Sequence, residues 1–356
     1  DNSNYTGAVY VFTRSGTTWS QQAYVKAFNT GNDDQFGQSV ALSADGNTLA
    51  VGAHHEDSNS AGVNNPNNNL LDQSGAAYVF TRAGTTWTQQ AYIKASNPDA
   101  NDEFGYSLAL SGDGNTLAVG SYREASNATG VGGDQSNNSI TDGGAAYVFT
   151  RSGTTWSQQE YIKASDVDSN DQFSSALALS YDGNTLAVCS HSEDSNAQGI
   201  GGDDSNNSAG SAGAVYVYTR AGTTWSFQAY IKASNTDASD YFGWSVALTA
   251  DGNTMAVGAR YEDSAAAGIN GNQGSSGASN SGAVYLFSRS GATWTQDTYV
   301  KSSNTQSNDR LGQSLAISAD GNRLAASAYS EDSSSTGIGG NQGNDSASDS
   351  GAVYVY

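Results

Sequence analysis

The tripeptide Asp-Gly-Asn starts at Asp45, Asp113, Asp182, Asp251 and Asp320, and a Thr-Trp step ends at Trp19, Trp87, Trp156, Trp225 and Trp294. Both columns advance by 68 residues once and by 69 thereafter. A fixed period of this kind marks one supersecondary unit copied along the chain. Length alone, 356 residues, would suggest two or three domains. The period argues instead for a single body, 1–356, with repeats at approximately 36–95, 104–164, 173–233, 242–302 and 311–356, the last completed by 1–27.

Each unit holds four short apolar runs, in the first case "QSVALS", "TLAVGA", "GAAYVF" and "TWTQQAYIKA". They are rich in Val, Tyr, Phe, Thr and Leu and bounded by Gly, Asn, Asp and Ser, which is a strand pattern. No helical period is sustained. "ADGN" predicts a tight hairpin between the first two runs, and "RSGTT" or "RAGTT" a slightly longer one between the last two. Runs two and three are apolar on both faces and so belong between neighbouring sheets. Run four alternates, with Trp19, Gln21, Ala23 and Val25 on one side and Ser20, Gln22, Tyr24 and Lys26 on the other. A polar strand bearing lysine reads as an outer edge. The expected fold is all-β: a β-propeller of five four-stranded antiparallel blades, its ring closed by N-terminal strand 18–26 joining the last blade. Strand 7–13 is then in surplus. It is displaced, replaces 351–356, pairs with another molecule, or belongs to a chain that continues.

The net charge is −21, from 35 acids and 14 bases. Ten bases fill two repeated columns, Arg14, Arg82, Arg151, Arg220, Arg289 and Lys26, Lys94, Lys163, Lys232, Lys301. With no basic cluster, neither nucleic acid nor an anionic membrane is an expected partner. No run of 18 apolar residues is present, which argues against a membrane-inserted helix. The lone Cys189 excludes an internal disulfide and reads as a small core residue.

The stretch "NDEFGYSLALSGDGNTLAVGS" followed by "GAAYVF" resembles the FG-GAP repeat of integrin α-subunit propellers and, more closely, of bacterial cell-surface proteins. The likeness recurs five times. It implies a propeller, an extracellular or cell-surface setting, adhesive or scaffolding roles, and calcium. Ser174 and Leu311 depart from the Phe-Gly pair, and the Asp-Gly-Asn turn keeps only Asp45 of the several aspartates found in integrin calcium loops.

Antiparallel order gathers the long connections on one face, where function in such scaffolds sits. Before the Phe-Gly pair, oxygen-bearing residues alternate: Asn97, Asp99, Asn101 and Asp102; Asp166, Asp168, Asn170 and Asp171; Asn235, Asp237, Ser239 and Asp240. Such spacing can converge on Ca²⁺, which takes six to eight oxygens, or it can simply stabilise turns. A second acidic column contains Asp57, Asp194, Asp263 and Asp332. Two rim columns vary sharply between repeats: Gln38, Tyr106, Ser175, Trp244, Gln313 and His54, Tyr122, His191, Arg260, Tyr329. Tyr106, Trp244, His54, Tyr122, His191, Arg260 and Tyr329 form a candidate ligand-binding rim able to stack on sugars or clamp a carboxylate. The alternative is unconstrained drift. His54 and His55 are expected on opposite sides of a strand end and therefore not to form a metal pair. No Ser-His-Asp order or zinc motif is present, and near-identical repeats give every acid the same environment, so catalysis is not expected. The reading is a non-catalytic extracellular adhesion or structural module, self-assembling, with calcium-ordered loops. Its partner is a cell-surface protein, a glycan or another copy. A lectin-like propeller is the alternative, and a glycoside-cleaving enzyme the third choice.

Overall fold

The computed structural model describes residues 4–356, which form two compact units divided in the chain between Ser175 and Ala176. In the first unit, a hairpin of β1 (Val9–Ser15) and β2 (Thr18–Val25) precedes two blades. Blade one is β3 (Val40–Leu42), β4 (Thr48–Ala53), β5 (Ala76–Ala83) and β6 (Thr86–Ile93), and blade two is β7 (Ser107–Leu110), β8 (Thr116–Ser121), β9 (Ala145–Ser152) and β10 (Thr155–Ile162). In the second unit, blade three is β11 (Ala176–Leu179), β12 (Thr185–Ser190), β13 (Ala214–Ala221) and β14 (Thr224–Ile231). Blade four is β15 (Phe242–Leu248), β16 (Thr254–Ala259), β17 (Ala283–Ser290) and β18 (Thr293–Val300), and blade five is β19 (Leu311–Ile317), β20 (Leu324–Ala328) and β21 (Ala352–Val355). Every sheet is an antiparallel meander in chain order, and no helix occurs among the described residues. The fold is an all-β, five-bladed β-propeller.

The second strands β4, β8 and β12 are buried at all six positions, as two apolar faces require. Cys189 lies among them, fully buried, and burial pushes its thiol well up. Within each unit, successive blades meet where a glycine precedes the third strand. Gly75, at φ +81°, pairs in parallel with Phe104 of the next blade. A Cβ there would lie 2.1 Å from the Phe104 carbonyl oxygen, so only glycine fits. Phe104 is fully buried beneath Tyr147 and Phe149, at 5.3 and 6.1 Å between ring centres. The Phe-Gly and Gly-Ala columns are thus the two halves of one joint.

Three expectations are corrected. First, the strand at 18–26 does not complete the last blade: β2 pairs with β1 through seven residue pairs, and β21 has a single hydrogen-bonded neighbour, β20. Blade five is three-stranded. A two-residue turn keeps β1 and β2 together at a smaller loop-closure cost than a partner at the far end of the sequence.

Second, strand four does not alternate. A bulge interrupts its ladder at the same place each time, where the register steps past Gln22, Gln90, Gln159, Gln228 and Asp297. The bulge turns the lysine column inward, so Lys94, Lys163, Lys232 and Lys301 are fully buried rather than guarding an edge.

Third, the turn lengths are reversed. The Asp-Gly-Asn connection is a four-residue loop closed by the Ser43 N–H donating to the Thr48 carbonyl (2.9 Å). Asp45 Oδ1 accepts from Ser43 Oγ (2.6 Å) and from the Asn47 N–H (2.9 Å), which holds its carboxyl down at about 2. The Gly84-Thr85 connection is the two-residue turn, with Ala83 paired to Thr86.

Candidate functional site

The buried lysines identify the partner that their blade must supply. Lys94 donates to Glu56 Oε2 at 2.7 Å, Lys163 to Glu124 at 2.8 Å, Lys232 to Glu193 at 2.6 Å and Lys301 to Glu262 at 2.8 Å. Each glutamate follows the second strand of the blade whose fourth strand carries the lysine. The strand-four tyrosine adds its hydroxyl, Tyr92 to Glu56 (2.8 Å), Tyr230 to Glu193 (2.7 Å) and Tyr299 to Glu262 (2.8 Å). An asparagine ahead of the blade donates as well, Asn29 to Glu56 (2.9 Å) and Asn235 to Glu262 (2.9 Å). Taking both charges out of water is costly, and these surrounding hydrogen bonds are what make the pair tolerable. Next to this network, the bulged glutamine clamps the following blade. Gln90 Oε1 accepts from Trp156 Nε1 (2.9 Å) and Arg151 (3.1 Å), and Gln228 does the same with Trp294 (2.9 Å) and Arg289 (3.0 Å).

The rim residues gather into one cluster in each unit. In the first unit, His54 lies edge-on to Tyr106 (5.6 Å), which contacts Tyr122 (4.2 Å). His55 sits 4.2 Å from His54, and Glu103 and Arg123 join them. This reverses the expectation that the two histidines diverge. β4 ends at Ala53, so both rings lie in a turn, not on a strand. His54 is buried, and burial together with the neighbouring His55 and Arg123 pulls its pKa down to about 4.

In the second unit, the Arg260 guanidinium lies over Trp244 (3.1 Å to the ring centre) and Tyr261 (4.4 Å). Tyr241 meets Tyr261 edge-on (5.2 Å), and His191 packs against Trp244 (4.8 Å). His191 is likewise held down to about 4 by burial, with Arg260 adding to it. Tyr329 stands apart, 60 % exposed beside Gln313 and Ser314.

The alternating loop acids face inward to their own backbone. Asp102 Oδ2 accepts from the Asp99 N–H (2.9 Å), Asp171 from Asp168 (3.2 Å) and Asp240 from Asp237 (3.1 Å). Asn101 and Asn170 adopt φ of 67° and 72°, and Asp99 Oδ2 accepts from Asn138 (2.6 Å). Burial, opposed by the Asp99 N–H and helped by Glu124, pushes Asp102 up to about 8; burial and Glu262 do the same to Asp240. The second column ties the long loops shut. Asp57 accepts from the Gln73 N–H (2.9 Å), Asp194 from Ser211 (2.6 Å), Asp263 from Asn280 (2.7 Å) and Asp332 from Asp349 (2.8 Å). The same loops bridge back to their own fourth strand, Val63 to Ile93 and Ile269 to Val300.

The sequence model of the FG-GAP repeat matches residues 19–80, 87–149 and 225–287, together more than half of the chain. The chain belongs to the FG-GAP repeat family. A search of curated proteins finds no match. Among solved structures, the chain is similar to the periplasmic gluconolactonase PpgL of Pseudomonas aeruginosa, at 15 % identity and TM-score 0.51, covering 91 % of this chain and 73 % of that one. It is also similar to a TolB candidate from Agrobacterium tumefaciens, at 11 % identity and TM-score 0.41, covering 88 % and 74 %. A candidate 6-phosphogluconolactonase from Bacteroides uniformis follows at 10 % identity and TM-score 0.39, covering 89 % and 83 %. At such identities the first likeness shows the fold alone.

Calcium is what an FG-GAP resemblance implies, and the aspartates that would hold it already accept hydrogen bonds. Asp45 accepts within its own turn, and Asp102, Asp171 and Asp240 each accept one backbone N–H. Among the described residues, the one group of three ligand-type side chains within mutual reach is His54, His55 and Glu103. The lysine–glutamate network escaped the sequence reading. Its signal was there, in a lysine column and a glutamate column that never lose each other in the four complete units.

Proposed function

We propose that this FG-GAP chain is a non-catalytic extracellular structural module that joins copies of itself at the free edge of β21. The observation carrying this reading is that, among the described residues, blade five holds partners for a fourth strand but not the strand. Glu331 is 2 % exposed and accepts from Asn304 (3.0 Å) and the Ser333 N–H (3.1 Å), as its counterparts accept from their own neighbours, yet no ammonium reaches it among the described residues. Val353 and Val355 are 67 % and 70 % exposed, where Val284 of blade four is fully covered. Tyr356 exchanges both backbone hydrogen bonds with Leu324, so by alternation the N–H and C=O groups of Val353 and Val355 face the open side. Ile338, whose equivalent Ile269 bridges to strand four, stands fully exposed.

The occupant is strand β2 of a second copy. Its "TWSQQAYVK" is a strand-four sequence, and Lys26 bonds Thr6 and the Gly7 carbonyl rather than a glutamate. The strands β1 and β21 read "GAVYVF" and "GAVYVY" with their leading glycines, so β2 can leave one for the other in unchanged register. The exchange conserves the ladder and adds the Lys26–Glu331 and Tyr24–Glu331 bonds. Spending every repeated acid on structure also supports a non-catalytic reading. The test is sedimentation of the full chain over a range of concentrations, with Glu331→Gln and Lys26→Met, and with a peptide of residues 17–27 as competitor. Dimers or longer species weakened by either substitution and by the peptide are expected. A chain monomeric at every concentration that does not bind the peptide ends the proposal.

A second reading has its own observation, the Arg260–Trp244–Tyr261 stack with Tyr241 beside it. A planar cation on aromatic faces suits an acidic sugar, whose ring stacks and whose carboxylate pairs with the guanidinium. Glycan-array binding lost in Trp244→Ala supports it, and an empty array removes it.

A further inference from the structure

We propose that His54, His55 and Glu103 form a binding site for a zinc-class divalent ion at the rim of the first unit. Each residue offers one ligand atom, and these atoms lie within 4.8 Å of one another. Two imidazoles and a carboxylate are the donor set of an open zinc site with room for one further ligand. Nitrogen donors favour zinc-class ions over calcium or magnesium.

The arrangement looks built. His54 is 5 % exposed, and its Nδ1 is buried with no hydrogen-bond partner. Its Nε2 lies 3.8 Å from Glu103 Oε2, beyond hydrogen-bond range. The ring therefore keeps a lone pair that no protein hydrogen uses, and leaving a buried polar atom so is costly unless something fills the gap. Glu103 is 4 % exposed and divides its oxygens: Arg123 Nη1 holds Oε1 at 3.0 Å, and Oε2 remains facing His54. Arg123 thus orients the carboxylate, which the Tyr122 hydroxyl also hydrogen-bonds.

On the other side, Asp33 Oδ2 lies 3.3 Å from His55 Nδ1, and Gln35 donates to Asp33 Oδ1 at 3.2 Å. Asp33 is placed to steady His55 or to become the fourth ligand. Gln35 Nε2 also lies 2.9 Å from His55 Nδ1, which makes that nitrogen the acceptor and aims one ring edge at the carboxamide. Metal binding at Nδ1 would displace this contact, whereas binding at Nε2 would put the ring proton on Nδ1, which would then donate to Asp33 Oδ2 instead of accepting from Gln35.

Repetition gives an internal control. The positions of His54, His55 and Glu103 become Tyr122, Arg123 and Gln172 one unit later, and His191, Ser192 and Tyr241 the unit after that. The three ligand types therefore come together at one junction while the surrounding scaffold is held constant. Pure packing would not require this: the same corner is filled elsewhere by stacked tyrosine and arginine.

The test is titration of the full chain, stripped with a strong chelator, with Co²⁺ followed by Zn²⁺. One equivalent of Co²⁺ giving the intense visible bands of a low-coordinate site, displaced by Zn²⁺, is expected. His55→Gln and Glu103→Gln should each weaken binding at least ~10-fold, as loss of a ligand or its support does, whereas His191→Ala should bind as the parent does. Far-UV circular dichroism of each metal-free variant shows that it has folded. Should His54→Ala fail to fold, His55→Gln, whose ring is the more exposed, decides the matter. No cobalt band, or equal binding by His55→Gln and the parent, overturns the site. Neither outcome bears on the β21 edge, which lies in the second unit.

Discussion

Replacing Lys301 by methionine tests whether the buried charge pair is what ties strand four to its blade. Lys301 is fully buried, and its Nζ donates to Glu262 Oε2 at 2.8 Å and to Ser281 Oγ at 2.6 Å. Methionine keeps most of the volume and removes the charge. Glu262, 1 % exposed, would keep Tyr299 (2.8 Å) and Asn235 (2.9 Å) but lose its cation. Removing one partner of a buried pair costs about 3–5 kcal/mol, chiefly because the other charge stays behind. For a cooperative unit of this size, about 2–4 °C per kcal/mol translates that into a melting point lower by roughly 6–20 °C. The control is Glu262→Gln combined with Lys301→Met, which leaves a neutral amide among the same donors and should recover a large share of the loss. Thermal unfolding followed by far-UV circular dichroism reads both. A shift under about 2 °C for Lys301→Met, or a double variant as damaged as the single one, would refute the argument.

Three further outcomes are expected. Asp102 and Asp240 titrate at about 8, above the ordinary carboxylate range, so the folded protein holds protons there that the unfolded chain has released. Their contribution is complete at low pH and is lost as pH rises through about 8, at about 1.4 kcal/mol per group per pH unit. Urea midpoints should therefore fall between about pH 6.5 and pH 8, and Asp102→Asn with Asp240→Asn should flatten that fall. In the joint between blades, Gly75→Ala drives a Cβ against the Phe104 carbonyl and should cost roughly 2–4 kcal/mol. Gly84→Ala, at φ +62° with nothing within 4 Å, should cost about 1 kcal/mol, and denaturant midpoints compare the two. A calcium-selective chelator should leave the melting point unchanged, and a drop of several degrees would show that the loop aspartates converge on a cation after all.

Strand number and order were legible because each run is short, apolar and punctuated by Gly, Asn and Asp, and because fivefold recurrence made each boundary visible five times. The fate of β2 was not legible. Two strands with nearly the same sequence, β1 and β21, compete for it, and nothing local separates them. The burial of the lysine column also stayed hidden. It depends on a bulge at Gln22, Gln90 and their equivalents that looks like ordinary alternation in the chain, and on a glutamate 38 or 39 residues away. The rim columns were found by their variation. Their division into His54–Tyr106–Tyr122 and His191–Trp244–Arg260 groups was not visible, because it is made by neighbouring blades. The adjacent histidines were misjudged by one residue of strand length: at Ala53 the backbone turns, and two rings expected on opposite faces come together.

Because lysine, tyrosine and glutamate all come from one 69-residue stretch, each sector neutralises its own interior. Gene duplication or loss of a whole sector then inserts or removes a self-contained cassette and strands no charge at the junction. Copy number can drift over evolutionary time at little thermodynamic cost.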